Sequence, residues 1–208
     1  MSTLCIRNNV GVFYLELGGR EQMKRIFDFM LSLLVLVILS PIFILLALLI
    51  KLDDPKGPVL FVQKRLGKDE KIFNMYKFRT MKIGTPEVAT DLLTDRDKYI
   101  TGVGRFMRKA SLDELPNLLN ILKGEMSFVG PRPALYNQYE LIEKRRARGI
   151  NKIIPGLTGL AQINGRDNIE DDEKVMYDEH YLKEKSFLRD LEIIFKTFSQ
   201  VASGKDIR

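Results

Sequence analysis

Residues 29–50 form a run of 22 amino acids without a single charge, interrupted only by Ser32, Ser40 and Pro41. No other feature narrows the choice of fold so far. As a helix at 1.5 Å per residue the run measures about 33 Å, enough to cross a hydrocarbon core of about 30 Å. It lacks the small-residue cleavage site of a signal peptide and starts well inside the chain, so it is expected to be retained. Pro41, near its midpoint, has no amide with which to bond the Val37 carbonyl, and a kink is expected there. Each half would then reach only about 16 Å, too short to cross alone. Arg20, Lys24 and Arg25 precede the run and Lys51, Lys56, Lys64 and Arg65 follow it, so no Lys/Arg asymmetry fixes an orientation. The residues alone leave a kinked span and a re-entrant hairpin both open.

The other residues of the 208-residue chain are polar enough for one ordinary domain, with a net charge of +6 that suits anionic partners. Cys5 is the only cysteine and His180 the only histidine, which excludes an internal disulfide, a cysteine metal cage and any mechanism needing several histidines. The composition points to residues 1–22 as an N-terminal extension, 23–54 as the membrane helix and 55–208 as the functional domain. Two β-prone runs, 59–63 and 72–78, flank Gly67 and predict a hairpin. Residues 80–98 are expected as loop, with or without a helical turn. Helices are expected over 111–123, ended by Gly124, and over 136–148, ended by Gly149. In the C-terminal segment Phe187, Leu188, Leu191, Ile194, Phe195 and Phe198 recur at helical spacing, for which core packing is the first expectation and membrane contact the second. The fold class is α+β, mainly helical, with a short β-hairpin.

Chemistry concentrates where Arg105, Arg108 and Lys109 run directly into Ser111, Asp113 and Glu114. Ser111 and Glu114 have the spacing of a capping box, which would make the stretch a simple helix start. Pro116 within the first turns, and Asp113, which the box does not require, favour a chemical role instead. An ionised aspartate between a helix N-terminus and arginines is expected to have a lowered pKa, suiting it as a nucleophile or a hard Mg²⁺ ligand. Further cations stand in 76–81 (Tyr-Lys-Phe-Arg-Thr-Met), in Gly130-Pro131-Arg132-Pro133 and in Asn164-Gly165-Arg166. Pro131 and Pro133 fix the backbone around Arg132, which suits a guanidinium that grips an anion. The turn-rich run 155–166 reads equally as an ordinary loop or a ligand-contacting one.

In this order the motifs resemble the bacterial sugar transferases, specifically the small monotopic polyprenyl-phosphate phosphoglycosyl transferases. The resemblance runs from about residue 23 to the C-terminal helix. It implies transfer of a sugar-1-phosphate from a UDP-sugar to polyprenyl (undecaprenyl) phosphate, release of UMP, a requirement for Mg²⁺, and initiation of surface glycan or glycoconjugate assembly. The family's Asp-Glu dyad falls on Asp113 and Glu114, with Asp113 as covalent nucleophile and metal ligand. Arg108 matches its phosphate-binding arginine, Arg79, Arg132 and Arg166 match other cationic positions, and Asp178 matches an acidic position without an assigned role. Ser40-Pro41 matches the family's re-entrant break, implying a monotopic helix with both ends on the cytoplasmic face of the bacterial inner membrane. Larger members carry extra N-terminal membrane helices, and the resemblance here is to the minimal form. Implied partners are membrane lipid, the two substrates, downstream glycosyltransferases and a second copy of the chain, with no nucleic acid. Two other classes fit parts of the sequence: a non-catalytic basic membrane module in which 111–114 is only a cap, and a glycosidase using Asp113 and Glu114, which would leave the arginines idle and needs a carboxylate separation of about 5–9 Å.

Overall fold

The computed structural model describes residues 4–86, 96–165 and 169–203, so 87–95 of the loop expected over 80–98 lie outside the described residues. A long helix, α1 (Leu4–Asp53), leads into a hairpin of β1 (Leu60–Leu66) and β2 (Ile72–Phe78), paired antiparallel with Phe61 opposite Lys77 and Leu66 opposite Ile72. Three helices follow, α2 (Arg96–Tyr99), α3 (Gly102–Lys109) and α4 (Asn117–Lys123). Next come β3 (Ser127–Val129), α5 (Tyr139–Ala147), β4 (Gly156–Thr158) and α6 (Leu160–Ile163), and the chain closes with α7 (Asp171–Glu184) and α8 (Phe187–Ser203). The architecture is α+β and mostly helical, as the sequence predicts.

Helix α1 continues through Pro41. The Val37 carbonyl, which Pro41 cannot serve, accepts a hydrogen bond from Ser40 Oγ at 2.8 Å, so the Ser-Pro pair replaces the missing backbone donor with a side-chain one. Between residues 28 and 50 one face of α1 touches the rest of the domain. Asp28, Ser32, Leu46 and Ile50 are inaccessible, and Val35, Leu36 and Phe43 are partly covered. Val35, Leu36 and Phe43 pack on Phe73, Met75, Leu118, Ile121 and Met126, and Phe43, Leu46 and Ile50 pack with Phe78 and Met107. The opposite face, with Met30, Leu34, Val37, Ile38, Ile44, Leu45 and Leu48, is exposed and apolar, with Ser40 at its edge.

Three sequence expectations are corrected. The helix foreseen over 111–123 is a single 3-10 turn, Leu112–Glu114, followed by α4. Ser111 has a left-handed backbone (φ +53°) and caps nothing, because the chain turns there to bring the next two carboxylates beside β2. The described part of the run 155–166, residues 155–165, carries β4 and α6 in place of a loop: Gly130 and Gly156 let β3 and β4 approach as a parallel pair, since a Cβ on Gly156 would lie 2.1 Å from Gly130 N. Finally, the apolar stripe of α8 faces the core only in part: Ile194 packs on the cluster of Val129, Leu160, Tyr181 and Ile193, and Leu191 is partly covered. Ile193, Asp190 and Thr197 form the packed side, while Phe187, Leu188, Phe195 and Phe198 are exposed.

Candidate active site

The site is assembled on β2 and the 3-10 turn. Asn120, fully buried in the middle of α4, imitates a strand neighbour. Its Oδ1 accepts from the Tyr76 amide at 3.1 Å, and its Nδ2 donates to the Asn74 carbonyl and to Glu125 Oε2, both at 2.7 Å. These bonds lock α4 to β2 and set the preceding turn against Lys77. On that turn Glu114 Oε1 accepts from Lys77 Nζ at 2.8 Å and from Arg132 Nη2 at 3.0 Å. In the sequence Lys77 is only one cation of a basic stretch. No local signal separates it from the other cations of that stretch, because its role depends on the distant turn that carries Glu114.

The segment bearing Arg132 is held carbonyl by carbonyl. Pro131 O accepts from Gly156 N (2.9 Å), Arg132 O from Arg145 Nη1 (2.8 Å), Pro133 O from Arg65 Nη1 (2.9 Å) and Ala134 O from Leu66 N (3.0 Å). With prolines on both sides, Arg132 therefore presents its guanidinium from a fixed backbone. Arg145 is itself gripped by Asp178, whose Oδ2 accepts from Nε at 3.0 Å and Nη2 at 2.6 Å. Asp178 thus lies behind Arg132, with Arg145 and Arg132 between it and the dyad.

Arg108 reaches the same region from α3. Thr101 caps that helix, its Oγ1 accepting from Gly104 N at 3.0 Å, and Asp53 Oδ2 at the end of α1 accepts from Val103 N at 2.9 Å. Arg108 Nε donates to Thr80 Oγ1 at 3.1 Å. Arg79 is placed elsewhere: it is buried beside Gly57, donating to Asp54 Oδ2 and to the Asp54 carbonyl, so it clamps the exit of α1. Arg166 lies outside the described residues.

Electrostatics divides the two carboxylates. Burial raises the Asp113 carboxyl above the ordinary range, with Glu114 adding to that direction and Lys77, Arg108 and Arg132 opposing it. The lowered value expected from the sequence belongs instead to Glu114, which Arg132 and Lys77 hold far below the usual carboxylate range in spite of its burial. Burial also lowers the Lys77 ammonium, against the pull of Glu114. Glu114 is committed to the cations, and Asp113 stands beside the clasp rather than in it. Such a site suits a phosphate group: three cations converge on one face, next to a carboxylate with an oxygen to offer.

The family model described as bacterial sugar transferase matches residues 19–204. The chain belongs to that family. It is 38% identical to the undecaprenyl-phosphate galactose phosphotransferase of Salmonella typhimurium over 84% of its own length and 39% of that protein's. It is 43% identical to the UDP-glucose:undecaprenyl-phosphate glucose-1-phosphate transferase of Escherichia coli, over 86% of this chain and 40% of that one. The chain thus spans about two-fifths of the length of these relatives. The exopolysaccharide production protein ExoY of Sinorhizobium fredii is similar in size, 39% identical over 88% of this chain and 86% of that protein.

Proposed function

We propose that this bacterial sugar transferase moves a sugar-1-phosphate from a UDP-sugar to polyprenyl phosphate in two displacements at Asp113. The observation that carries the reading is the Asp113-Glu114 turn, with Glu114 clasped by Lys77 and Arg132 and Arg108 alongside. The names of the relatives supply the substrate class. An Asp113 carboxylate oxygen attacks the sugar-bearing phosphorus, and the bond from that phosphorus to the bridging oxygen breaks. UMP leaves with the bridging oxygen and its electron pair. A phosphate oxygen of the polyprenyl phosphate then attacks the same phosphorus, the bond to Asp113 breaks, and the free carboxylate is restored with release of polyprenyl-diphosphate-sugar. Lys77, Arg108 and Arg132 offset the charge that moves onto the phosphoryl and leaving oxygens.

Among the described residues no three Asp, Glu, His or Cys side chains gather into a metal cage. The donor set fits Mg²⁺ in its usual manner, held by one carboxylate, here Asp113, together with substrate phosphates and water. When bound there, Mg²⁺ would supply charge neutralisation at the diphosphate.

A re-entrant placement of residues 29–50, with both ends cytoplasmic, belongs to the same reading. It is supported by the Ser40-Pro41 pair at the midpoint of the run, where Pro41 has no amide for the Val37 carbonyl, and by the cations on both flanks, Arg20, Lys24 and Arg25 before the run and Lys51 and Lys56 after it. Labelling with impermeant thiol reagents tests it, using single cysteines at residue 20 and at residue 56 in a Cys5→Ser background. Both should label from one side of sealed vesicles, and labelling from opposite sides would mean a span. The transfer is tested by UMP release from a panel of UDP-sugars in detergent containing polyprenyl phosphate, with and without Mg²⁺. Release is expected for at least one sugar, and Asp113→Asn should abolish it.

A further inference from the structure

Three buried ionisable side chains play no part in the transfer chemistry and gather around one short strand. Asp28 is 3% exposed, Tyr181 4% and Asp190 5%. A buried charge persists only where partners compensate it, so the contacts of these groups show what each one holds. Asp28 Oδ1 accepts from the Phe128 amide at 3.3 Å. Asp190 Oδ1 accepts from Tyr181 Oη at 2.7 Å, and the other Asp190 oxygen is ion-paired with Lys24, one turn before Asp28 on α1. Tyr181 Oη also lies 3.2 Å from the Val129 carbonyl oxygen. Phe128 and Val129 are the last two residues of β3, which runs straight into Gly130, Pro131 and Arg132.

Two three-residue strands in parallel are a weak frame. From β4 come the Pro155 carbonyl for Ser127 N and the Thr158 carbonyl for Gly130 N, each at 2.9 Å. Side chains of α1 and α7 grip Phe128 and Val129 in the manner of a third strand. Pro131 stiffens the backbone that follows, so a shift of β3 is carried to Arg132, whose Nη2 meets Glu114 Oε1 at 3.0 Å. We propose that Asp28 is a positioning residue for the transfer: from the membrane helix it fixes β3, and through β3 the place of the Arg132 guanidinium beside Glu114. The inference rests on the phosphoryl-transfer reading of the Asp113-Glu114 site. It makes the start of α1 part of the frame of the active site as well as an anchor. The Lys24-Asp190-Tyr181 chain closes the same clamp one residue further along the strand.

Two readouts on full-length protein in detergent test the clamp. In hydrogen exchange, Asp28→Ala should exchange faster than the parent over residues 127–130, with the β1-β2 hairpin unchanged, because the opening is local. In UMP release, Asp28→Ala should lower kcat/KM for the UDP-sugar by about tenfold, the scale of one lost charge-assisted hydrogen bond. That loss should vanish in an Arg132→Lys background, since a residue that acts through Arg132 then has nothing left to position. A general loss of stability would instead multiply with the Arg132→Lys loss. Tyr181→Phe removes only the hydroxyl at Val129 and should show the same pattern at smaller amplitude; it decides the question if Asp28→Ala does not fold. Losses that multiply in the cycle, or exchange over 127–130 that matches the parent, would overturn the inference. A parent that releases no UMP from any UDP-sugar, with exchange over 127–130 still quickened by Asp28→Ala, would refute the transfer reading while leaving the clamp on β3 standing.

Discussion

Replacing Asp178 with asparagine should both loosen the protein and disable Arg132, although Asp178 touches neither substrate nor dyad. Asp178 is 1% exposed and Arg145 8%, and they are joined by two hydrogen bonds of 3.0 and 2.6 Å. Removing one member of such a buried pair leaves an uncompensated charge and costs about 3–5 kcal/mol. For a chain of this size that lowers the thermal midpoint by roughly 6–20 °C. Arg145 also donates to the Arg132 carbonyl, and Arg132 in turn donates to Glu114, so a displaced Arg145 should weaken one charge-assisted contact at the site. A contact of that kind is worth about 1.5–3 kcal/mol, or roughly a ten- to hundredfold loss in kcat/KM. The double variant Asp178→Leu/Arg145→Met separates the two effects. An apolar pair of similar volume is close to neutral for stability, so the melting midpoint should largely recover. Turnover should not, because the Arg132 carbonyl still lacks its donor. Melting curves in detergent and UMP-release kinetics on the same samples read both. If Asp178→Asn melts with the parent, or if the double variant restores turnover, the chain of contacts from Asp178 to Glu114 does not position Arg132.

Three further outcomes are expected. Because the Asp113 carboxyl is raised, turnover should fall on the acid side at a pH above the ordinary aspartate value of about 3.9. Lys77→Met removes a lowering charge and should move that limb to higher pH, while Glu114→Gln removes a raising one and should move it to lower pH; pH profiles of kcat/KM that shift in the same direction would refute the assignment. Glu114 is depressed in the folded state, so its stabilising effect is complete above its unfolded value of about 4.3 and drains as the pH falls below that; the stability gap between parent and Glu114→Gln should therefore narrow in acid. Gly104→Ala would put a Cβ 2.2 Å from the Thr80 carbonyl oxygen and should cost about 1–3 kcal/mol while displacing Arg108, measurable as a lower melting midpoint and slower UMP release.

What could be read in advance was what local pattern encodes. The uncharged run marks α1, the β-prone stretch at 72–78 coincides with β2, and the hairpin and mainly helical α+β class follow. Asp113, Glu114, Arg108 and Arg132 stand out by motif, and the structure gathers them in one place. What stayed hidden depends on neighbours distant in sequence. Arg79 and Lys77 look alike as cations of one short motif, yet Asp54 takes the first and Glu114 the second. Asn120 within Asn-Leu-Leu-Asn-Ile-Leu gives no sign that it will serve as a surrogate strand edge. The spacing of Ser111 and Glu114 matches a cap in sequence, but the left-handed turn at Ser111 points Glu114 at two cations instead. Helix periodicity identified the stripe of α8 correctly but could not tell whether it faces protein or the outside, since both bury apolar groups from water.

The central claim, a covalent intermediate on Asp113, is tested most directly by the donor half-reaction. Full-length protein is mixed with a UDP-sugar that supports turnover and with Mg²⁺, polyprenyl phosphate is left out, and the quenched protein is weighed and digested. A mass increase equal to one sugar phosphate on the peptide containing Asp113, with one UMP released per site and neither in Asp113→Asn, is the predicted result. UMP release that appears only when polyprenyl phosphate is present, with no adduct on the peptide, would contradict the account and mean a direct displacement.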